Sequence, residues 1–113
     1  MSEWTTVCPL THILPATGVC AWVNGHQIAV FRPCADEQVF ALSNIDPFAD
    51  ASVLSRGIIC EHQGELWVAS PLKKQRFRLS DGHCMEDASR SVLTWPVRVS
   101  EGQVEVKALP TLI

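Results

Sequence analysis

The side chains with the most evident capacity for chemistry are five cysteines and four histidines. Cys60-Glu61-His62 sets a thiol and an imidazole two residues apart. On a strand, residues i and i+2 share a face, so both can point at one metal ion. His83-Cys84 follows downstream, but adjacent residues of an extended segment face opposite sides. No Cys-x-x-His occurs anywhere in the chain. The four residues therefore do not complete a recurring ligand spacing. They are expected to be structural or incidental, with a zinc or cluster site as the sharper alternative. Cys8, Cys20 and Cys34 are scattered, and an odd count does not make a disulfide framework. Reduced thiols packed as small apolar groups are expected. No Gly-x-Gly-x-x-Gly follows an apolar run, which excludes a dinucleotide fingerprint, and the histidines define no Ser/His/Asp constellation.

The elements that must position these residues are short strands. Val19–Val23 and Gln27–Phe31 flank Asn24-Gly25, the strongest short hairpin signal in the chain. Gln38–Leu42 reads as the next strand. Gly57–Glu61 and Glu65–Ala69 form a second hairpin around His62-Gln63-Gly64, and Arg76–Leu79 alternates with period two. Val97–Val99 and Val104–Val106 make a third hairpin. Only Leu10–Ile13 and Ala49–Leu54 suggest helical turns, and both are too short to stand alone. Trp22 and Trp67 lie inside β runs, where core packing accounts for them. The pattern predicts one all-β domain spanning residues 1–113, an antiparallel sandwich of short strands.

Two irregular loops interrupt the strands: Ser43-Asn44-Ile45-Asp46-Pro47-Phe48, and Ser70-Pro71-Leu72-Lys73-Lys74-Gln75 running into Arg76-Phe77. Phe77-Arg78-Leu79-Ser80-Asp81-Gly82-His83-Cys84-Met85 follows. This layout resembles the Rieske domain, in which a Cys-x-His loop and a Cys-x-x-His loop hold a [2Fe–2S] cluster. Asn44 and Asp46 stand where the first pair would be, and Ser70 and Lys73 where the second would be. A Rieske cluster needs two thiolates and two imidazoles. Asn and Ser are weak, hard donors, and a protonated Lys offers no lone pair. The resemblance therefore implies a degenerate cluster site and no cluster in this chain. With the loop tips in their Rieske positions, Asp46 and Lys73 are expected to pair, with Asn44 and Ser70 hydrogen-bonding alongside.

Taken together, the Asn-x-Asp-Pro-Phe loop, Ser55-Arg56-Gly57 and the Ser-Pro-Leu-Lys-Lys-Gln-Arg-Phe loop resemble one family, the small subunit of the cytoplasmic NAD(P)H-dependent nitrite reductase. The resemblance covers Trp4 to about Val106. It implies a non-catalytic accessory subunit with no cofactor of its own. Its partner would be the nitrite reductase large subunit, which carries FAD, sirohaem and an iron–sulfur cluster and reduces nitrite to ammonium. Lys73, Lys74, Arg76 and Arg78 gather four of the nine basic residues into six positions. With Phe48 as an apolar anchor, they are the candidate partner-binding surface.

Composition limits the other classes. Net charge is −3, from 9 basic and 12 acidic residues, so no general attraction to nucleic acid or anionic membrane is expected. No apolar run is long enough to span a bilayer. Met1-Ser2-Glu3-Trp4 lacks the features of a secretory signal, which predicts a soluble, cytoplasmic protein. Two competing readings remain: a Rieske-type electron-transfer protein with unusual ligands, and a free-standing protein-interaction module.

Overall fold

The computed structural model describes residues 3–111. Its strands are β1 (Trp4–Pro9), β2 (Thr17–Val23), β3 (His26–Arg32), β4 (Phe40–Ser43), β5 (Ile45–Asp46), β6 (Ala51–Ser52), β7 (Ile58–His62), β8 (Glu65–Ala69), β9 (Arg76–Arg78), β10 (Thr94–Trp95), β11 (Val97–Ser100) and β12 (Gln103–Lys107). Single 3-10 turns occupy Leu10–His12, Leu54–Arg56 and Ala88–Arg90. Every strand pairing is antiparallel, and there is no α-helix among the described residues.

The three expected hairpins form. Asn24-Gly25, Gln63-Gly64 and Glu101-Gly102 have φ of 49° and 81°, 52° and 80°, and 51° and 78°. Both central residues are left-handed, as a two-residue turn matched to strand twist requires. Outside the hairpins, β1 returns to pair with β12, setting Trp4 opposite Lys107.

The sheets stack in three layers. The central sheet has the order β10-β4-β3-β2, with β1-β12-β11 on one side and β7-β8-β9 on the other. Ile28 and Val30 of β3 face the first core, with Val23, Ala41, Trp95, Val104 and Val106. Ala29 and Phe31 face the second, with Leu42, Leu54, Val68, Phe77, Leu79 and Cys84. This is why Ile28–Phe31 is an unbroken apolar run: a strand covered on both faces has no solvent side to show.

Two expectations are corrected. Ala49–Leu54 is not a helical turn. Ala51–Ser52 pairs with Ile45–Asp46, and the 3-10 turn begins only at Leu54, where a fully buried side chain plugs the second core. Trp67 is buried, but Trp22 is 69% exposed. β2 is an outer strand whose alternate residues Val19, Ala21 and Val23 serve the first core, so Trp22 projects from the opposite face, which is open there. The β1 and β10 strands and the turn at Ala88–Arg90 had no clear sequence signal.

Phe31→Ala is expected to lower unfolding stability by about 3–5 kcal/mol in denaturant titration. Ile58→Ser, at an exposed position, should change it by less than about 0.5 kcal/mol.

Candidate functional site

Among the described residues the buried polar or charged side chains are Asn44, Asp46 and Ser70, each at most 2% exposed. They are three of the four degenerate cluster positions. Buried polar groups must find partners inside the protein, and these three do so by tying the two loops to the fold and to each other.

Asn44 follows β4. Its backbone N–H donates to the Gln27 carbonyl at 2.9 Å and its carbonyl accepts from Leu54 N–H at 3.0 Å. Its side-chain oxygen accepts from Ser55 N–H at 2.7 Å, and its Nδ2 donates to Cys20 Sγ at 3.4 Å. It thus joins β3, the 54–56 turn and β2. Asp46, on β5, shapes the first loop: Oδ1 accepts from Phe48 N–H at 2.8 Å and Ala49 N–H at 3.3 Å, and its carbonyl accepts from Asp50 N–H at 2.7 Å. Such carboxylate-to-backbone bonds are what make Asp a turn residue. Oδ2 crosses to the second loop and accepts the Ser70 hydroxyl. Ser70 closes that loop, donating its N–H to the Gln75 carbonyl at 2.8 Å and accepting Lys74 N–H at 3.1 Å. Lys74 adopts φ 65° to complete the turn.

The pairing expected between Asp46 and Lys73 is therefore corrected. Asp46 is fully buried and its carboxylate serves Ser70 and the loop amides, whereas Lys73 is exposed and joins no ion pair among the described residues. A long cation cannot follow a carboxylate into the interior without shedding its own hydration.

The residues do not fit a [2Fe–2S] cluster. The donors at these positions are an amide, a carboxylate and a hydroxyl, without the thiolates and imidazoles that such a cluster takes. Of the Cys60/His62 and His83/Cys84 set, His62 and His83 line one surface cleft with Trp67 and Arg78, whereas Cys84 turns the other way into the second core. No group of three or more His, Cys, Asp or Glu side chains is gathered among the described residues.

The candidate docking residues separate into two sets. Arg76 is bound by Glu86 through its N–H and guanidinium at 2.7–2.8 Å. Arg78 is clamped by Asp81 at 2.6–2.8 Å and Glu65 at 2.8 Å, and lies 5.4 Å above the Trp67 ring. The Arg78 donors hold the Asp81 carboxyl below its ordinary 3.8. Burial pushes Glu86 upward, but the Arg76 backbone and side-chain donors outweigh it and leave the group below 4.5. Arg76 and Arg78 thus have partners within the chain, while Lys73 and Lys74 are exposed and form no ion pair among the described residues. Phe48 is half-buried, its ring 6.3 Å from Phe77 and partly committed to the second core. Sequence reasoning missed two neighbours. Leu72 is 54% exposed in the second loop. Arg90 lies 5.6 Å over the Phe48 ring and donates to the Pro47 carbonyl at 3.0 Å. Nothing local in the sequence ties Arg90 to a loop 43 residues away.

Known proteins resemble this chain in sequence and fold. The Rieske-like [2Fe-2S] domain family matches residues 3–107. The nitrite reductase (NADH) small subunit of Salmonella typhimurium is 64% identical over 107 residues, covering 95% of this chain and 99% of that protein. The NMR structure of the Escherichia coli protein NirD superposes with a TM-score of 0.88 at 62% identity, covering 95% of this chain and 97% of that one. A nitrite reductase NAD(P)H large subunit of Klebsiella oxytoca is 43% identical over 103 residues, which is 91% of this chain but 11% of that protein. The ferredoxin of carbazole 1,9a-dioxygenase from Nocardioides aromaticivorans has a TM-score of 0.82 at 26% identity, over 96% of this chain and all of that one.

Asp46→Ala should lower stability by about 1–3 kcal/mol, because it leaves two loop amides and the Ser70 hydroxyl without their acceptor. A cycle with Ser70→Ala should return a coupling energy of about 0.5–3 kcal/mol in urea titrations. The second expectation concerns pH. A depressed carboxyl contributes stability that is present above its unfolded value and lost as pH falls through the lower folded one. Below pH 3.8 the Asp81–Arg78 contribution fades, and below pH 4.5 that of Glu86. Asp81→Asn should therefore flatten the acid limb of a stability–pH curve recorded by thermal melts.

Proposed function

The chain belongs to the Rieske-like [2Fe-2S] domain family, and we propose that within it the chain is the small subunit of an NAD(P)H-dependent nitrite reductase, a non-catalytic accessory to the large subunit. The observation that carries the reading is the buried Asp46–Ser70 bond at the place where cluster ligands would be, in a chain alike over almost its whole length to named small subunits. Without ligands for a redox centre at that place the domain has no evident route for electrons, so what it contributes is a rigid shape. The Klebsiella oxytoca relative supports direct contact with the catalytic chain, since a stretch like this one forms part of a large subunit there.

On this reading the large subunit supplies FAD, sirohaem and an iron–sulfur cluster, and nitrite is reduced to ammonium there. This chain docks through its loop tips. Lys73 and Lys74 provide charge not committed within the chain, Leu72 and Phe48 provide apolar contact, and Arg90 braces the first loop from behind. Arg76 and Arg78 shape the surface through their internal pairs more than they meet the partner. A cytoplasmic setting suits five free cysteines, two of them exposed.

Nitrite reduction by purified large subunit should rise several-fold when this chain is added, and fall back when it is omitted. Lys73→Glu with Lys74→Glu should slow association about tenfold at low salt and progressively less as salt rises. Equal activity with and without the chain would reject the accessory role.

A further inference from the structure

β2 is an outer strand of the central sheet and, among the described residues, pairs only with β3. Its two-residue turn makes Val23 and His26 the closing hydrogen-bonded pair, so the ladder to β3 runs through Val23, Ala21 and Val19. The backbone N–H and C=O groups of Gly18, Cys20 and Trp22 therefore point out of the sheet. Gln27, opposite Trp22, agrees with this phase: its carbonyl faces away from β2 and accepts the Asn44 amide.

Sheet edges in native proteins are guarded by charge, proline, a bulge or shortness, because unpaired backbone invites another strand. The other edges of the larger sheets here have such guards. β1 is irregular between Thr6 and Cys8 and ends in Pro9. β10 has two residues. β11 carries Arg98, β7 carries Glu61 and β9 carries Arg76 and Arg78. β2 has none of them. Thr17–Val23 is seven residues long, without charge or proline, and in unbroken register. Trp22 at one end is 69% exposed and Leu14, just before the other, 66%. A groove of about 340 Å³ runs between this strand and β1, lined by Val7, Cys8, His12, Val19, Ala21 and Trp22 among others.

We propose that the β2 edge receives an extended segment of the nitrite reductase large subunit by strand addition, with Trp22 as the side-chain anchor. The proposal rests on the accessory-subunit reading. The large subunit is favoured over a second copy because Asn44, which opens the first loop, is tied directly to β2 through Cys20 Sγ. The segment it offers is extended, with free backbone groups in phase with Gly18, Cys20 and Trp22. Near Trp22 it has apolar or small side chains, since the edge has no charge to match.

The test is amide hydrogen exchange on the chain alone and on its complex with purified large subunit, quenched and read residue by residue on the released chain. The Gly18, Cys20 and Trp22 amides should slow by about tenfold or more in the complex, while those of Val19, Ala21 and Val23, already in the ladder, change little. Trp22→Lys, which retains the wild-type melting temperature, should weaken association about tenfold. If that variant fails to fold, the wild-type exchange pattern decides alone. A complex in which the three amides exchange as in the free chain overturns edge docking and leaves the accessory role standing. Protection of the same amides in a dimer of the isolated chain assigns the edge to a second copy and overturns the proposal. Absence of any complex with the wild-type chain overturns both readings.

Discussion

A buried carboxylate that accepts a serine hydroxyl from another loop is the constraint on which the site depends. Asp46 organises its own turn with one oxygen and reaches Ser70 with the other, so one side chain both shapes the first loop and ties it to the second. A metal cluster joins two loops by covalent ligation. This chain joins them by hydrogen bonds in a place that water does not reach, where such bonds are strong and an unmet partner is costly. Asn44 extends the same network to β2, β3 and the 54–56 turn. The two loops are therefore joined through side chains that are not iron ligands.

The layers explain why those loops can be held so closely. Both depart from strands with a core behind them: β4 lies in the central sheet and β8 in the outer one, and Leu54, Phe77 and Phe31 fill the space between. Phe48 dips toward this core from the first loop, and Arg90 crosses from a distant segment to cover it. The second loop is closed at its base by the Ser70 and Gln75 backbones, which lifts Pro71–Lys74 outward. The outer surface is thus a small platform of mixed apolar and basic character, carrying Leu72, Lys73 and Lys74.

Much of this was legible in the sequence where local chemistry decides. The Xxx-Gly turns required left-handed backbone, and each made the expected hairpin. The two irregular loops could be read from the sequence, and their match to cluster-binding positions came from the resemblance to the Rieske domain. What was hidden depended on contacts between distant segments. β1 finds its partner about a hundred positions away in β12. Ala51–Ser52 was drawn into a two-stranded ribbon by Asp46's turn rather than into a helix. Lys73 and Ser70 are near each other in the sequence, and only the burial of Asp46 shows which of the two the carboxylate can take. Trp22 was misread because an apolar run on an outer strand looks the same on paper as one in the middle of a sheet.

The pairing of β1 with β12 brings the two flanks of the domain to one spot, Trp4 opposite Lys107 and the Ala108 amide on the Glu3 carbonyl. A polypeptide spliced to either flank would leave from the same stem, with the folded body hanging as a pendant. Such a body can be carried on a longer protein without a break in any of its layers. The Klebsiella oxytoca large subunit, which contains a stretch like it, is one such case. There the encounter between shape and catalyst becomes a matter of tether length and local concentration, whereas for separate chains it depends on how much of each the cell makes.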